Sequence, residues 1–205
     1  MTPTERRLAA RLRTPAAVQR WIRSLPYNFE TDGETMRTFR GVVRDRTAHC
    51  LEAALSAATI LERHGFDPLM LDLESRDGLD HVVFAFRCPS GWGAVGGSRD
   101  VGLWGRRPMF RNIEALARSY YEPYIDLEAR ITAFALVDLR ELGQYDWRLS
   151  DRNAWKVERL LLETPHKALR TNYRRYIQLR RQYRKFLETH EARDTPFKRG
   201  SNRWM

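Results

Sequence analysis

Cysteine is scarce: Cys50 and Cys88 are the only two in 205 residues. Two thiols cannot build a disulfide framework, so the fold is expected to rest on a buried core. Long apolar runs are missing too. Uncharged ones, such as Ile131 to Val137 (ITAFALV), fall far short of the roughly 18–20 residues of a spanning helix, so no membrane partner is expected. The N-terminal stretch carries Arg6, Arg7, Arg11 and Arg13 beside Glu5 and has no apolar segment. A short amphipathic helix is expected there rather than a secretory signal. These absences point to a reducing, cytoplasmic location. The close Cys/His spacing of zinc motifs is also missing, and neither a metal nor a cofactor is expected.

What is present is charge, unevenly spread. The chain holds 36 Lys and Arg against 26 Asp and Glu, a net of +10. From Pro165 onward there are 12 basic and 3 acidic residues, a net of +9, which leaves +1 for residues 1–164. The body is nearly neutral and the basic character belongs to the tail. The division expected is therefore a cysteine domain with N-terminal helices over residues 1–164 and a basic helical extension over 165–205.

Periodicity outlines the elements. Thr14-Pro15 reads as an N-cap and first helical residue, with Val18, Trp21, Ile22 and Leu25 at helical spacing. Residues 27–47 have no clean period and either wrap the body or hold a strand near Gly41. Residues 48–64 form the clearest helix, with Leu51, Ala54, Leu55, Ala58 and Leu61 on one stripe and Gly65 as the stop. Three strands follow at 68–73, 81–87 and 92–95, joined by the turn signals Asp77-Gly78 and Pro89-Ser90-Gly91, which predicts an antiparallel meander. Residues 96–109 read as loop, 113–121 as a short helix, 131–137 as a strand, and 151–163 and 167–187 as helices.

Cys50 falls in the first turn of the clearest helix. Unpaired N–H groups and partial positive charge there favour a thiolate and can stabilise an oxyanion. His81 opens the central strand, which suits the general base of a nucleophilic cysteine. Asp100, after the third strand, can hold the second imidazole nitrogen or be a solvated loop residue, in which case a backbone carbonyl or the Ser98 hydroxyl is expected to meet that nitrogen. Read plainly, Cys50 and His81 are a small buried side chain and a satisfied structural histidine. His49, next to Cys50, is the alternative base, although consecutive helical residues point about 100° apart.

The stretch HCLEAALSAATILERHGFDPLMLDL resembles the nucleophile helix and first strand of the transglutaminase-like, papain-type cysteine superfamily. DHVVFAFRCPSGWGAVGGSRD resembles its histidine strand, turn and third strand. The resemblance covers roughly residues 45–125. It implies an α+β fold with a papain-like core, a nucleophile helix packed on a small antiparallel sheet, and helical N- and C-terminal extensions. It implies catalysis through a thioester on an amide or acyl carbonyl of a peptide or small molecule: transamidation, amide hydrolysis or acyl transfer. Asp100 stands slightly later than the aspartate of the family pattern.

Other residues invite roles beside that chemistry. Arg106 and Arg107 can grip a carboxylate-bearing substrate or pair with nearby acids on a surface loop. Trp92 can wall a cleft or fill the core. In the tail, Arg and Lys alternate with Tyr173, Tyr176 and Tyr183. Such a face contacts a polyanion, meets an acidic protein, or merely solvates a tyrosine packing stripe. The competing function is a non-catalytic binding module of the same fold whose basic helix contacts nucleic acid or an acidic partner.

Overall fold

The computed structural model describes residues 1–190, 196 and 197. The helices begin where their caps dictate. α1 (Pro3–Arg11) opens with a capping box, in which the Thr2 hydroxyl accepts from the Glu5 N–H and the Glu5 carboxylate accepts from the Thr2 N–H. α2 (Pro15–Arg23) is capped by Thr14. In the stretch without a clean period lies α3 (Phe39–Asp45), so the strand considered near Gly41 is a helix. Phe39, Gly41 and Val42 are its buried positions, and burial of that face decided what local pattern left open. α4 (Cys50–Glu62) follows, with every residue from Leu51 to Leu61 buried. A helix apolar on all sides belongs inside a molecule.

Six strands form one antiparallel sheet: β1 (Leu69–Ser75), β2 (His81–Cys88), β3 (Gly91–Val95), β4 (Arg106–Phe110), β5 (Ile131–Asp138) and β6 (Lys167–Ala168), in the order β4-β3-β2-β1-β5-β6. β4 occupies part of the stretch expected to be loop. Its Pro108 is tolerated because an edge strand needs no N–H on its open side. β6 accounts for residues expected to begin the last helix, which starts instead at Tyr173 under an Asn172 cap.

Both faces of the sheet are covered. On one face α2, α3, α4 and α7 (Trp155–Glu163) pack on Met70, Val82, Phe84, Val95 and Val137. On the other, α5 (Ile113–Arg118), α6 (Tyr121–Tyr124) and α8 (Tyr173–Leu187) pack on Leu71, Leu73, Val83, Ala85 and Phe134. Alternate residues of β2 serve the two cores, which is why it reads as one apolar run rather than alternating. The protein is thus α+β, with an antiparallel sheet between helical layers. Tyr176, Leu179 and Tyr183 turn inward from α8, so the extension after residue 164 contributes a strand and a helix to this architecture. The rest of the expected basic tail, residues 191–195 and 198–205, lies outside the described residues. No helix among the described residues is long and apolar enough to cross a membrane.

The wrap from 26 to 48 is tied to the start of α4. Asn28 N–H donates to the Ala48 carbonyl and Ala48 N–H to the Pro26 carbonyl, both at 3.2 Å. The central tie is Glu52, fully buried at N3 of α4. Its carboxylate accepts from His49 N–H (3.1 Å), Thr35 Oγ1 (2.8 Å), Arg37 N–H (3.0 Å) and Arg37 Nε and Nη2 (both 2.8 Å). Burial alone would raise the pKa of this carboxyl, but Arg37 and His49 hold it at about 2.

Glu52→Gln is expected to cost on the order of 3 kcal/mol, because the largely enclosed Arg37 guanidinium loses the fully buried one of its two carboxylate partners and keeps only Asp45. Since the folded value lies below the unfolded one of about 4.3, the contribution is present above that pH and lost as pH falls toward 2. Urea midpoints at pH 7 and pH 3 check this: the wild type should lose more stability between them than Glu52→Gln. Equal losses would show that Glu52 is not the acid-sensitive tie.

Candidate active site

Cys50 is the first residue of α4 and is partly exposed. His49 is the N-cap, with its side chain nearly buried. His81 is the first residue of β2 and is 3% exposed. Burial would push the Cys50 thiol up, but the His49 and His81 imidazoles, by hydrogen bonding to the thiolate form and by their charge, bring it down to about 5. For His49, burial favours the neutral ring, yet contact with Cys50 and the charge of Glu52 raise it to about 9. Between those two values the pair stands as thiolate and imidazolium.

Backbone carbonyls set the imidazole tautomers. His81 Nε2 lies 2.8 Å from the Leu103 carbonyl, and His49 Nε2 lies 3.0 Å from the Thr35 carbonyl. A carbonyl only accepts, so Nε2 is the donor in each ring. Nδ1 is left as the nitrogen that can hold or release a proton at the sulfur. Tyr120 packs on the His81 ring with centroids 5.8 Å apart.

Leu103 is brought over His81 by a clamped loop. The buried Gln19 side chain donates to the Gly96 carbonyl (2.8 Å) and accepts from the Gly96 N–H (3.0 Å). Trp104 Nε1 donates to the Ser98 carbonyl at 2.7 Å. Gly105 closes the loop where a Cβ would stand 2.1 Å from Gln19 Oε1 and 2.4 Å from the Ala94 carbonyl oxygen, so no larger residue fits. Between these points Val101–Leu103 forms a single 3-10 turn.

That turn corrects the expectation for Asp100. Its carboxylate pairs with Arg99 at 3.2 Å, and the acceptor at His81 is the Leu103 carbonyl. The substrate roles expected of Arg106, Arg107 and Trp92 are also corrected. Arg106 is 7% exposed and spends its donors on the carbonyls of Gly102, Trp104, Gly105 and Ser119, with its guanidinium 3.9 Å over the Tyr120 ring. It braces the His81 loop. Arg107 is exposed on the edge strand, and Trp92 packs with the second core; neither borders the cavity that holds the sulfur.

That cavity, about 530 Å³, is bordered by His49, Cys50, His81, Leu103 and Tyr124 among others. Below it His166 Nε2 meets Asp72 Oδ2 at 3.2 Å. Sequence reasoning gave His49 a minor place and missed Thr35 and Leu103 entirely. A backbone acceptor leaves no signature in residue type. Among the described residues, no three carboxyl, thiol or imidazole groups converge to hold a metal ion.

Alkylation of Cys50 by iodoacetamide, followed by peptide mass spectrometry, is expected to rise through an apparent pKa near 5 and then level off. An ordinary thiol rises near 8.5. His49→Asn should move the Cys50 inflection upward by about a unit or more. An inflection near 8.5 in the wild type would remove the thiolate from this site. The chain matches no protein-family model and no curated protein.

Proposed function

We propose that this protein is a cysteine-dependent acyl-transfer enzyme with a transglutaminase-like, papain-type core, acting through a thioester on an amide or acyl carbonyl. One observation carries the reading: Cys50, at the start of a 13-residue helix, borders a cavity together with His49 and His81, and these two imidazoles lower its thiol pKa. A structural cysteine needs none of these.

The steps follow from the groups present. The Cys50 thiolate attacks the carbonyl carbon, a C–S bond forms, and the carbonyl π electrons move onto oxygen. The first-turn N–H groups of α4 favour that oxyanion. Collapse re-forms the carbonyl and breaks the bond to the leaving group, which takes its proton from the thiolate–imidazolium pair by way of His81. Water or an amine then attacks the thioester and gives its proton to neutral His81. The second collapse expels the thiolate, which His49 and His81 stabilise again. The Leu103 carbonyl, by holding His81 Nε2–H, keeps Nδ1 turned to this work.

Intact-mass analysis after exposure to an acyl thioester should detect an acyl group on Cys50. Cys50→Ala should abolish it, and His81→Gln should slow turnover by about 10²–10⁴-fold. Undiminished acylation in Cys50→Ala would overturn the assignment.

A second reading concerns the outer face of α8. Arg174, Arg181 and Arg184 are exposed, and none is in a salt bridge among the described residues. This favours a polyanion contact there, separate from the thiol chemistry. Binding of single-stranded or duplex oligonucleotides should weaken steeply with salt and drop on reversing these three charges. Binding that is absent at low salt would leave the face merely solvated.

A further inference from the structure

The overall charge of the chain and the charge of its cavity are opposite. In a protein of net +10, the border of the cavity holds, among the described residues, eight carboxyl side chains and one lysine or arginine, Arg99. Arg99 is already committed to Asp100. Of the seven remaining acids, Glu30 and Asp72 have only histidines as ion-pair partners, and Glu34, Asp77, Asp80, Asp126 and Glu158 form no ion pair among the described residues. Like charges gathered around one space repel, and a cation entering it relieves that repulsion.

A second feature points the same way. Asp72 borders the cavity, is 2% exposed, and its Oδ1 has no hydrogen-bond partner among the described residues. A sealed carboxylate oxygen without a donor is costly in an otherwise satisfied interior. Its other oxygen is held by His166, so Oδ1 has a fixed direction. The border also carries four large aromatic rings, Tyr27, Tyr124, Trp155 and Tyr183. Ring faces attract ammonium and guanidinium groups. Because the acids do not converge as a metal site among the described residues, the fitting charge is that of an organic cation.

We propose that the substrate reaching Cys50 carries an alkylammonium or guanidinium group, seated among these carboxylates and rings. This rests on the acyl-transfer reading and specifies its substrate class. It reverses the expectation of a carboxylate-bearing substrate, since Arg106 is spent on its own loop and Arg107 lies away from the cavity. It also explains why two imidazoles attend one sulfur: a thiolate facing a carboxylate-lined space needs more opposing charge than a single ring supplies.

The test uses two thiol reagents that differ in charge. Trimethylammonium-ethyl and sulfonato-ethyl methanethiosulfonate each form a disulfide with the thiolate and expel methanesulfinate. Rates at Cys50 are normalised to a small free thiol. The cationic reagent should be at least 10-fold faster at low salt, and the ratio should shrink toward one by about 0.5 M salt as screening shortens to a few ångströms. Asp80→Asn with Glu158→Gln should lower the low-salt ratio. Equal rates, faster reaction of the anion, or a sulfur that neither reagent reaches would overturn the proposal. A pair of peptide thioesters, with Lys or Glu beside the carbonyl, adds a readout by turnover. Preference for the Lys peptide supports the proposal, and preference for the Glu peptide overturns it. Turnover of neither peptide, with the reagent ratio intact, refutes the acyl-transfer reading while the charge preference stands.

Discussion

The buried carboxylate of Glu52 is the tie on which the site depends. Taking a carboxylate out of water costs several kcal/mol, and that cost is offset only when its oxygens are fully bonded. Here the partners come from two places: Asn28 (3.2 Å from Oε2), Thr35 and Arg37 in the wrap, and the His49 N–H at the helix cap. Leaving out any one exposes the others to the same penalty. The wrap, the cap and the first turn of α4 therefore form together. His49 and Cys50 are placed as a consequence, since they are the two residues at that turn.

A second constraint acts on the opposite side of the sulfur. β2 delivers His81, and the clamped loop between Gly96 and Gly105 delivers the carbonyl that orients it. Arg106 stiffens that loop by capping carbonyls within it and stacking on Tyr120. A guanidinium in such a position acts through geometry rather than through charge offered to a ligand. Its five donors suit the task, because several carbonyls pointing into a dry space would otherwise go unpaired.

The electrostatics of the cavity hold two demands in balance. Carboxylates such as Asp72, Asp80 and Asp77 surround the space, and their field disfavours a thiolate. The imidazoles and the helix N-terminus favour it. Burial pushes Asp72 up to about 6, with Asp80 and Cys50 adding to the rise and His166 opposing it. A positive charge in the cavity opposes that rise. On the proposed function, the substrate supplies that counter-charge and the chemistry proceeds in a better-compensated site.

Much of this molecule is legible in its sequence, and the boundary of legibility is physical. The helix whose first turn holds Cys50, the start of β2 at His81, the meander and the uneven charge follow from turn residues and periodicity, which act over a few neighbouring positions, although the helix read as 48–64 begins at Cys50. Three features depended on tertiary contact. α3 exists because Phe39 and Val42 find a core. β4 exists because β3 offers it an edge to pair with. The base-orienting group is the Leu103 carbonyl because the fold of the loop, and not the residue type at 100, determines what faces His81. Side-chain identity announces charge and shape, whereas a backbone acceptor is the same at every residue. The sequence alone thus determined the helix that carries the cysteine in its first turn and the strand that begins at the histidine. Only the folded chain decided which carbonyls orient the imidazoles and which acids line the cavity, because those neighbours are distant in sequence and meet through packing.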